Sequence, residues 1–223
     1  MIIAVFGGML LLPLYLQVVR GESALDTGLL LIPQGVGAMI AMPIAGQLTD
    51  RTGVGRIVPF GLFVVGLSFL GLTQLAADTS YWLLGGDLFL MGLGMGFTMM
   101  PTFSGAMQTL RRSDVSRASS TLNIEQQVGA SIGTAVLSVL LAHELASRLG
   151  GAASGGIGTA LPPEVRDRVA PLMAEAFGAT FWWALALVVV ALVVASLLLP
   201  KTKPEPVEEE RLVDEPAVAI AMH

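Results

Sequence analysis

Cysteine is absent from the sequence, so no disulfide framework, thiolate metal site or thiol nucleophile is available. Charge is scarce as well. Only 13% of the residues are Asp, Glu, Lys or Arg, against roughly 25% in a soluble globular domain. The two histidines, His143 and His223, lie far apart in the chain and leave no metal or Ser/His/Asp constellation to assemble. The expectation is therefore a protein that is not an enzyme and needs no metal or cofactor. No basic patch interleaves with aromatics, which argues against a nucleic-acid partner. What fills the chain instead is apolar: 54% of residues are hydrophobic and the mean hydropathy is +0.75. The apolar residues gather in runs of about 20, the length a bilayer demands and a soluble core does not. The fold class predicted is an all-α membrane protein.

Six spans are predicted, at residues 1–19, 27–46, 57–76, 82–103, 119–143 and 177–199. Pro33 and Pro43 should kink the second. Between spans five and six runs a Gly-, Ala- and Ser-rich loop, 144–176, with one short amphipathic helix over 163–174. The tail, 201–223, reads as disordered and acidic. Six of its last nineteen residues are Asp or Glu, which accounts for the formal charge of −5. Arg51, Arg56, Arg111, Arg112, Arg117, Lys201 and Lys203 fall on one side of the spans, and Arg20, Arg148, Arg166 and Arg168 on the other. The positive-inside bias predicts that both termini are cytoplasmic, and the expected location is the cell (plasma or inner) membrane. Met1 opens directly into an apolar run with no lead-in, so the chain is expected to be the latter part of something longer.

The spans differ in polarity. Spans three and six are bland and should face lipid on most sides. Spans one, two, four and five carry Tyr15 and Gln17, Gln34, Asp87, and Asn123 through Gln127. Polar groups are costly in hydrocarbon, so these four helices should turn those faces toward protein or a water-filled cavity.

Between spans two and three stands the one charged, glycine-punctuated turn pressed tightly between apolar runs, Gly46-Gln47-Leu48-Thr49-Asp50-Arg51-Thr52-Gly53-Val54-Gly55-Arg56. Gly46 and Gly53 are expected to permit the reversal. Asp50 either bonds helix N-termini or an arginine, holding two helices in one relative position, or belongs to an ordinary loop whose arginines fix topology.

The turn resembles the loop signature of the major facilitator superfamily, G-x-L-x-D-R-x-G followed by two basic residues. Gly46, Leu48, Asp50, Arg51 and Gly53 match it; Val54 and Gly55 depart from it, and Arg56 arrives one position late. Two further stretches add to the likeness: Leu12 to Gln17 with Gly28 to Gly35, and Ala118 to Ser120 leading to Asn123 and Gln127 to Ala135. In order, they are similar to the C-terminal six-helix half of the fourteen-helix drug:proton antiporter branch, from Met1 to about Pro200. The resemblance implies proton-driven efflux of amphipathic small molecules by alternating access. It also implies a partner in the bilayer, either an N-terminal half of the same transporter or a second copy. From a different class, the alternative is a non-transporting scaffold or assembly subunit with a half-transporter fold.

Several side chains are candidates for the chemistry. Tyr15, Gln17, Gln34, Met91, Met95, Asn123 and Gln127 are candidates for the substrate path. Met91, Met95 and Met99 share one helix face, which suits either a promiscuous pocket or plain packing. Asp87 is either a proton-exchanging carboxylate in the outward part of a cavity or a hydrated group at headgroup depth. Glu125 either binds a cationic substrate or pairs with Arg111, Arg112 or Arg117; an arginine commonly stands at 125 or 126 in the family it resembles. Gly92 with Gly96, and Gly129 with Gly133, are expected to let helices approach closely.

Overall fold

The computed structural model describes residues 2–76, 78–108, 115–149 and 163–199, and every regular element among them is helical. There are seven: α1 Ile2–Val18, α2 Ala24–Leu30, α3 Ile32–Thr52, α4 Val54–Leu72, α5 Tyr81–Gln108, α6 Val115–Leu149 and α7 Pro163–Leu198. Five stretches are long and apolar enough to cross a membrane: Ala24–Thr52, Val54–Leu72, Tyr81–Gly105, Arg117–Arg148 and Arg168–Leu198. The apolar part of α1, Val5–Val18, is shorter. The chain is thus an all-α membrane protein built on six apolar segments. Arg111, Arg112 and the acidic tail from 201 onward lie outside the described residues.

The second span is one stretch, Ala24–Thr52, longer than the expected 27–46 and divided at Leu31 into α2 and α3. Ser23 caps α2, its Oγ accepting from the Asp26 N–H at 3.1 Å. Leu31 joins the two helices in αR conformation, and Pro33 sits at the start of α3, where its missing N–H leaves no bond unmade. From there α3 runs through Gly46 to Thr52. Gly46 therefore makes no turn, and a Cβ there would meet nothing within 4 Å. A helix satisfies its own backbone, so it can continue into the headgroup zone unbroken. The hydroxyls of Thr49 and Thr52 fold back onto the carbonyls of Ala45 and Leu48, at 2.6 and 2.8 Å. The reversal falls on Gly53 alone, at φ 85° and ψ 158°, a conformation open to glycine.

Helix α1 packs against α6 and α7, α3 against α5, and α4 against both α5 and α7; α5 and α6 meet only slightly. Glycine sets the closest of these approaches. A Cβ at Gly92 would collide with the Gln34 carbonyl oxygen of α3, and one at Gly96 would lie 2.5 Å from the Ala41 Cβ. Across α1 and α6, a Cβ at Gly133 would strike the Ile3 carbonyl, and one at Gly129 would come within 2.8 Å of the Ile2 side chain. Aromatic rings fill the opposite side of the bundle: Phe69 of α4 packs on Phe181 of α7 with centroids 6.0 Å apart.

Helix α4 is covered by its neighbours more than the bland composition of span three suggests, although Phe60, Phe63, Leu67 and Leu70 stay exposed. Half of the apolar window of α4 is covered, against 22% for each of α3 and α6. Bland composition does not decide exposure. Both α5 and α7 pack on α4, while α3 and α6 each keep a broad uncovered face.

The fifth and sixth spans are longer than expected. Helix α6 continues to Leu149, and α7 runs unbroken from Pro163 with Pro171 inside it, so both ends of the expected loop are helical. Leu145, Ala170, Met173 and Ala174 join the core there, and burial of these side chains carries the helices on. Arg148 bridges Glu144 at 3.3 Å and Glu175 at 2.8 Å, tying the two extensions together.

Candidate functional site

At the end of the bundle that carries Gly53, between α5 and α6, a cavity of about 90 Å³ opens. Helix α5 supplies Met99, Thr102 and Phe103; α6 supplies Leu122, Glu125 and Gln126; Ile2 of α1 closes the back. The wall is apolar, and Glu125 stands exposed at it as the only ionisable group in the lining. Pockets that bury a drug-sized ligand run to roughly 300–1,000 Å³. This one holds a single small group, or about three waters at their liquid volume of about 30 Å³ each.

The structure scatters the residues expected along a substrate path. Gln17, Asn123 and Gln127 are exposed on the bundle surface. Asn123 and Gln127 lie one turn apart on α6, near the cavity. Tyr15 is fully buried, with its hydroxyl donating to the Ala76 carbonyl at 2.8 Å and its ring edge-on to Phe177 at 5.6 Å. That makes it part of the core at the opposite end of the bundle. Gln34 is 8% exposed and gives its amide to Met95, Nε2 to Sδ at 3.4 Å. The methionine stripe divides the same way: Met91 is buried in the core, Met95 bonds Gln34, and Met99 alone reaches the cavity.

Asp87 stands apart from Glu125. Twelve residues separate it from Met99 on α5, about 18 Å along the axis at about 1.5 Å per residue. Its carboxylate lies over Gly71 of α4, where a Cβ would run into both oxygens. Its backbone carbonyl accepts from the Ser68 hydroxyl at 3.0 Å. The half-buried carboxylate thus sits at the seam between α4 and α5, not on the wall of the cavity. No described Lys or Arg forms an ion pair with it.

In the turn, Leu48, Asp50, Arg51 and Arg56 are all exposed, and none forms an ion pair with a described residue. Val54 tucks against Gly105 of α5, so the turn, the end of α5 and the cavity occupy one end of the bundle.

Thr102 and Leu122, on the cavity wall, escaped the sequence reading. Their signal is weak: both sit within a turn of Met99 and Glu125 and match the periodicity of any packed helix. A polar cluster at the opposite end also escaped it. There Arg20 donates to the Thr79 carbonyl at 2.9 Å and lies over the Tyr81 ring, 4.3 Å from its centroid. The Tyr81 hydroxyl in turn donates to Glu22. Burial works against the charge of Arg20, but the Tyr81 and Tyr15 hydroxyls beside it outweigh burial and hold the guanidinium above its ordinary value.

A family model, that of the Major Facilitator Superfamily, matches residues 1–134, more than half of the chain. Among curated proteins, the chain is 44% identical over 145 residues to a Multidrug resistance protein B homolog of Mycobacterium tuberculosis, covering 64% of this chain and 27% of that protein. It is 31% identical over 144 residues to the Tetracenomycin C resistance and export protein of Streptomyces glaucescens, covering 62% and 26%. An uncharacterized MFS-type transporter of M. tuberculosis matches at 30% over 207 residues, covering 87% of this chain and 30% of that one. The chain thus spans less than a third of the length of these relatives. With the family match running across the Gly53 turn and both helices of the cavity, the chain belongs to the Major Facilitator Superfamily.

Proposed function

We propose that the chain is the C-terminal six-helix half of a proton-coupled efflux antiporter for amphipathic small molecules, of the fourteen-helix drug:proton branch. One observation supports this reading: Asn123 and Gln127 stand exposed beside the cavity in the polar first part of α6, and Gln17 stands exposed in the last turn of α1. An amide without a partner in hydrocarbon costs several kcal/mol, on the order of 2–7. Those faces therefore meet water or a second bundle. The cavity beside Glu125, too small for a drug-sized molecule, gains the missing wall when that bundle closes over it. The covering bundle is either the N-terminal half of the same transporter or a second copy of the chain. Relatives named for multidrug resistance and for resistance and export support efflux as the direction.

In this reading the two bundles rock about the path between them, and the exposed Asp50–Arg51 turn pairs with the other bundle in one of the two end states. The Gly53 end and both termini face the cytoplasm, and the Arg20 end faces outward, in the cell membrane. Asp87 and Glu125 are the candidates for proton and substrate charge, at separate places in the bundle. Accumulation of a fluorescent cationic drug in cells making the complete protein, with and without a proton uncoupler, tests the proposal. Lower accumulation that the uncoupler abolishes supports it. Equal accumulation in cells with and without the protein overturns it and favours the scaffold reading.

A further inference from the structure

On α4, Leu67, Leu70 and Gly71 recur at three- and four-residue spacing and share one face; on α5, Leu83, Gly86 and Asp87 do the same. Leu67, Leu70, Leu83 and Gly86 are exposed. Other faces of the two helices enter the core, through Val65, Phe69 and Leu72 of α4 and Leu84, Leu88 and Met91 of α5. Asp87 therefore reaches across the seam on its membrane side, among side chains that meet lipid.

Two glycines make room there. The Asp87 carboxylate rests over Gly71, where a Cβ would run into both oxygens, and a Cβ at Gly86 would meet nothing within 4 Å. The result is a notch with a carboxylate on its floor, open on the Gly86 side. Ser68 gives its hydroxyl to the Asp87 carbonyl and not to the carboxylate. Among the described residues the carboxylate has no hydrogen-bond or ion-pair partner.

Gly71 stands one residue before α4 ends, and Asp87 six residues after α5 begins, about 9 Å along the axis at about 1.5 Å per residue. Tyr81 and Trp82, exposed at the start of α5, are residues of the headgroup zone, which is about 5–7 Å thick on each side of the hydrocarbon. The carboxylate thus lies at the border between headgroups and acyl chains. An ionised carboxylate only accepts hydrogen bonds, and at that border it is costly without a partner. A primary ammonium brings opposite charge and three N–H donors, the strong combination. A choline group carries the same charge and no N–H, and a glycerol headgroup leaves its phosphate charge uncompensated.

We propose that the notch of Asp87, Gly71 and Gly86 binds the headgroup ammonium of phosphatidylethanolamine on the lipid side of the α4–α5 seam. The site stands apart from the cavity beside Glu125 and does not rest on the efflux reading.

The probe is phosphatidylethanolamine with brominated acyl chains, which quench tryptophan fluorescence on contact. The full chain is reconstituted in phosphatidylcholine bilayers, with Trp82→Phe, Trp182→Phe and Trp183→Phe removing the three native tryptophans. Leu83→Trp then places a reporter one turn from Asp87. Phe63→Trp, on an exposed position of α4 two turns deeper than Gly71, reports contact with bulk lipid. At Leu83→Trp, brominated phosphatidylethanolamine is expected to bind about tenfold tighter than brominated phosphatidylcholine, the factor that one charge-assisted hydrogen bond gives. At Phe63→Trp the two should agree within about twofold. Asp87→Asn should bring the ratio at Leu83→Trp within about twofold as well. Should Asp87→Asn not fold, N-methylated phosphatidylethanolamines test the native carboxylate: one methyl group should keep most of the preference, and two should weaken it further. A ratio near one at Leu83→Trp, an equal ratio at both reporters, a preference that Asp87→Asn leaves intact, or tighter binding of phosphatidylglycerol overturns the site. Absence of quenching by every lipid overturns it in favour of a protein helix covering the seam. No transport is measured, so failure here is separable from failure of the efflux proposal.

Discussion

The side-chain amide of Gln34 and the thioether of Met95 meet across α3 and α5, with Nε2 donating to Sδ at 3.4 Å. Both residues were expected along a substrate path, and here each occupies the other. Gln34 is 8% exposed while Asn123 stands open on α6. In detergent, a thiol at Asn123→Cys should react with maleimide at least about ten times faster than one at Gln34→Cys, the gap expected between an exposed and a packed site.

Helix contact through glycine makes a sharp pair of expectations. Gly92→Ala places a methyl group into the Gln34 carbonyl and should destabilise the bundle by about 1–3 kcal/mol, the range for overpacking. Gly46→Ala meets nothing within 4 Å and should be neutral or stabilise by up to about 1 kcal/mol through helix propensity. Unfolding midpoints in mixed micelles check both. Equal effects would mean that α3 and α5 are not in backbone contact.

Tyr15→Phe keeps the ring against Phe177 and loses the bond to Ala76 and the hydroxyl's interaction with Arg20. Its cost should be about 0.5–1.5 kcal/mol, the net worth of a hydrogen bond. Tyr15→Ala empties a fully buried site and should cost about 3–5 kcal/mol, as for other large aromatic-to-Ala changes. The same unfolding measurement separates them.

The bridge from Arg148 to Glu175 is at the surface, with the Glu175 side chain 62% exposed. Glu175→Gln should shift stability by less than about 1 kcal/mol. Any difference should vanish in about 1 M salt, where the screening length falls to about 3 Å.

What the sequence made legible follows from which physics is local. Hydrophobic run length marked all six segments, because bilayer thickness sets it residue by residue. The reversal at Gly53 was legible too, since only glycine accepts that backbone. Gly46 carried the same letter and turned nothing: a glycine in a helix and one in a turn differ by dihedral angles that neighbours decide. Tyr15 was read as a polar group in search of a cavity. Its partner is a carbonyl 61 residues away, and no pattern within one helix reveals that. The coverage of α4 was hidden for a related reason, because apolar side chains suit lipid and protein equally well. Charge at span ends set orientation in the reading, yet the Arg20–Tyr81–Glu22 cluster pairs two loops that only the folded chain brings together.

The single-residue reversal at Gly53 has a mechanical consequence. With no slack between α3 and α4, and with α5 seated on both, a push on the exposed Asp50–Arg51 segment has no linker in which to dissipate. On the efflux reading proposed above, α3, α4 and α5 are expected to move together, with α7 carried along by its packing on α4.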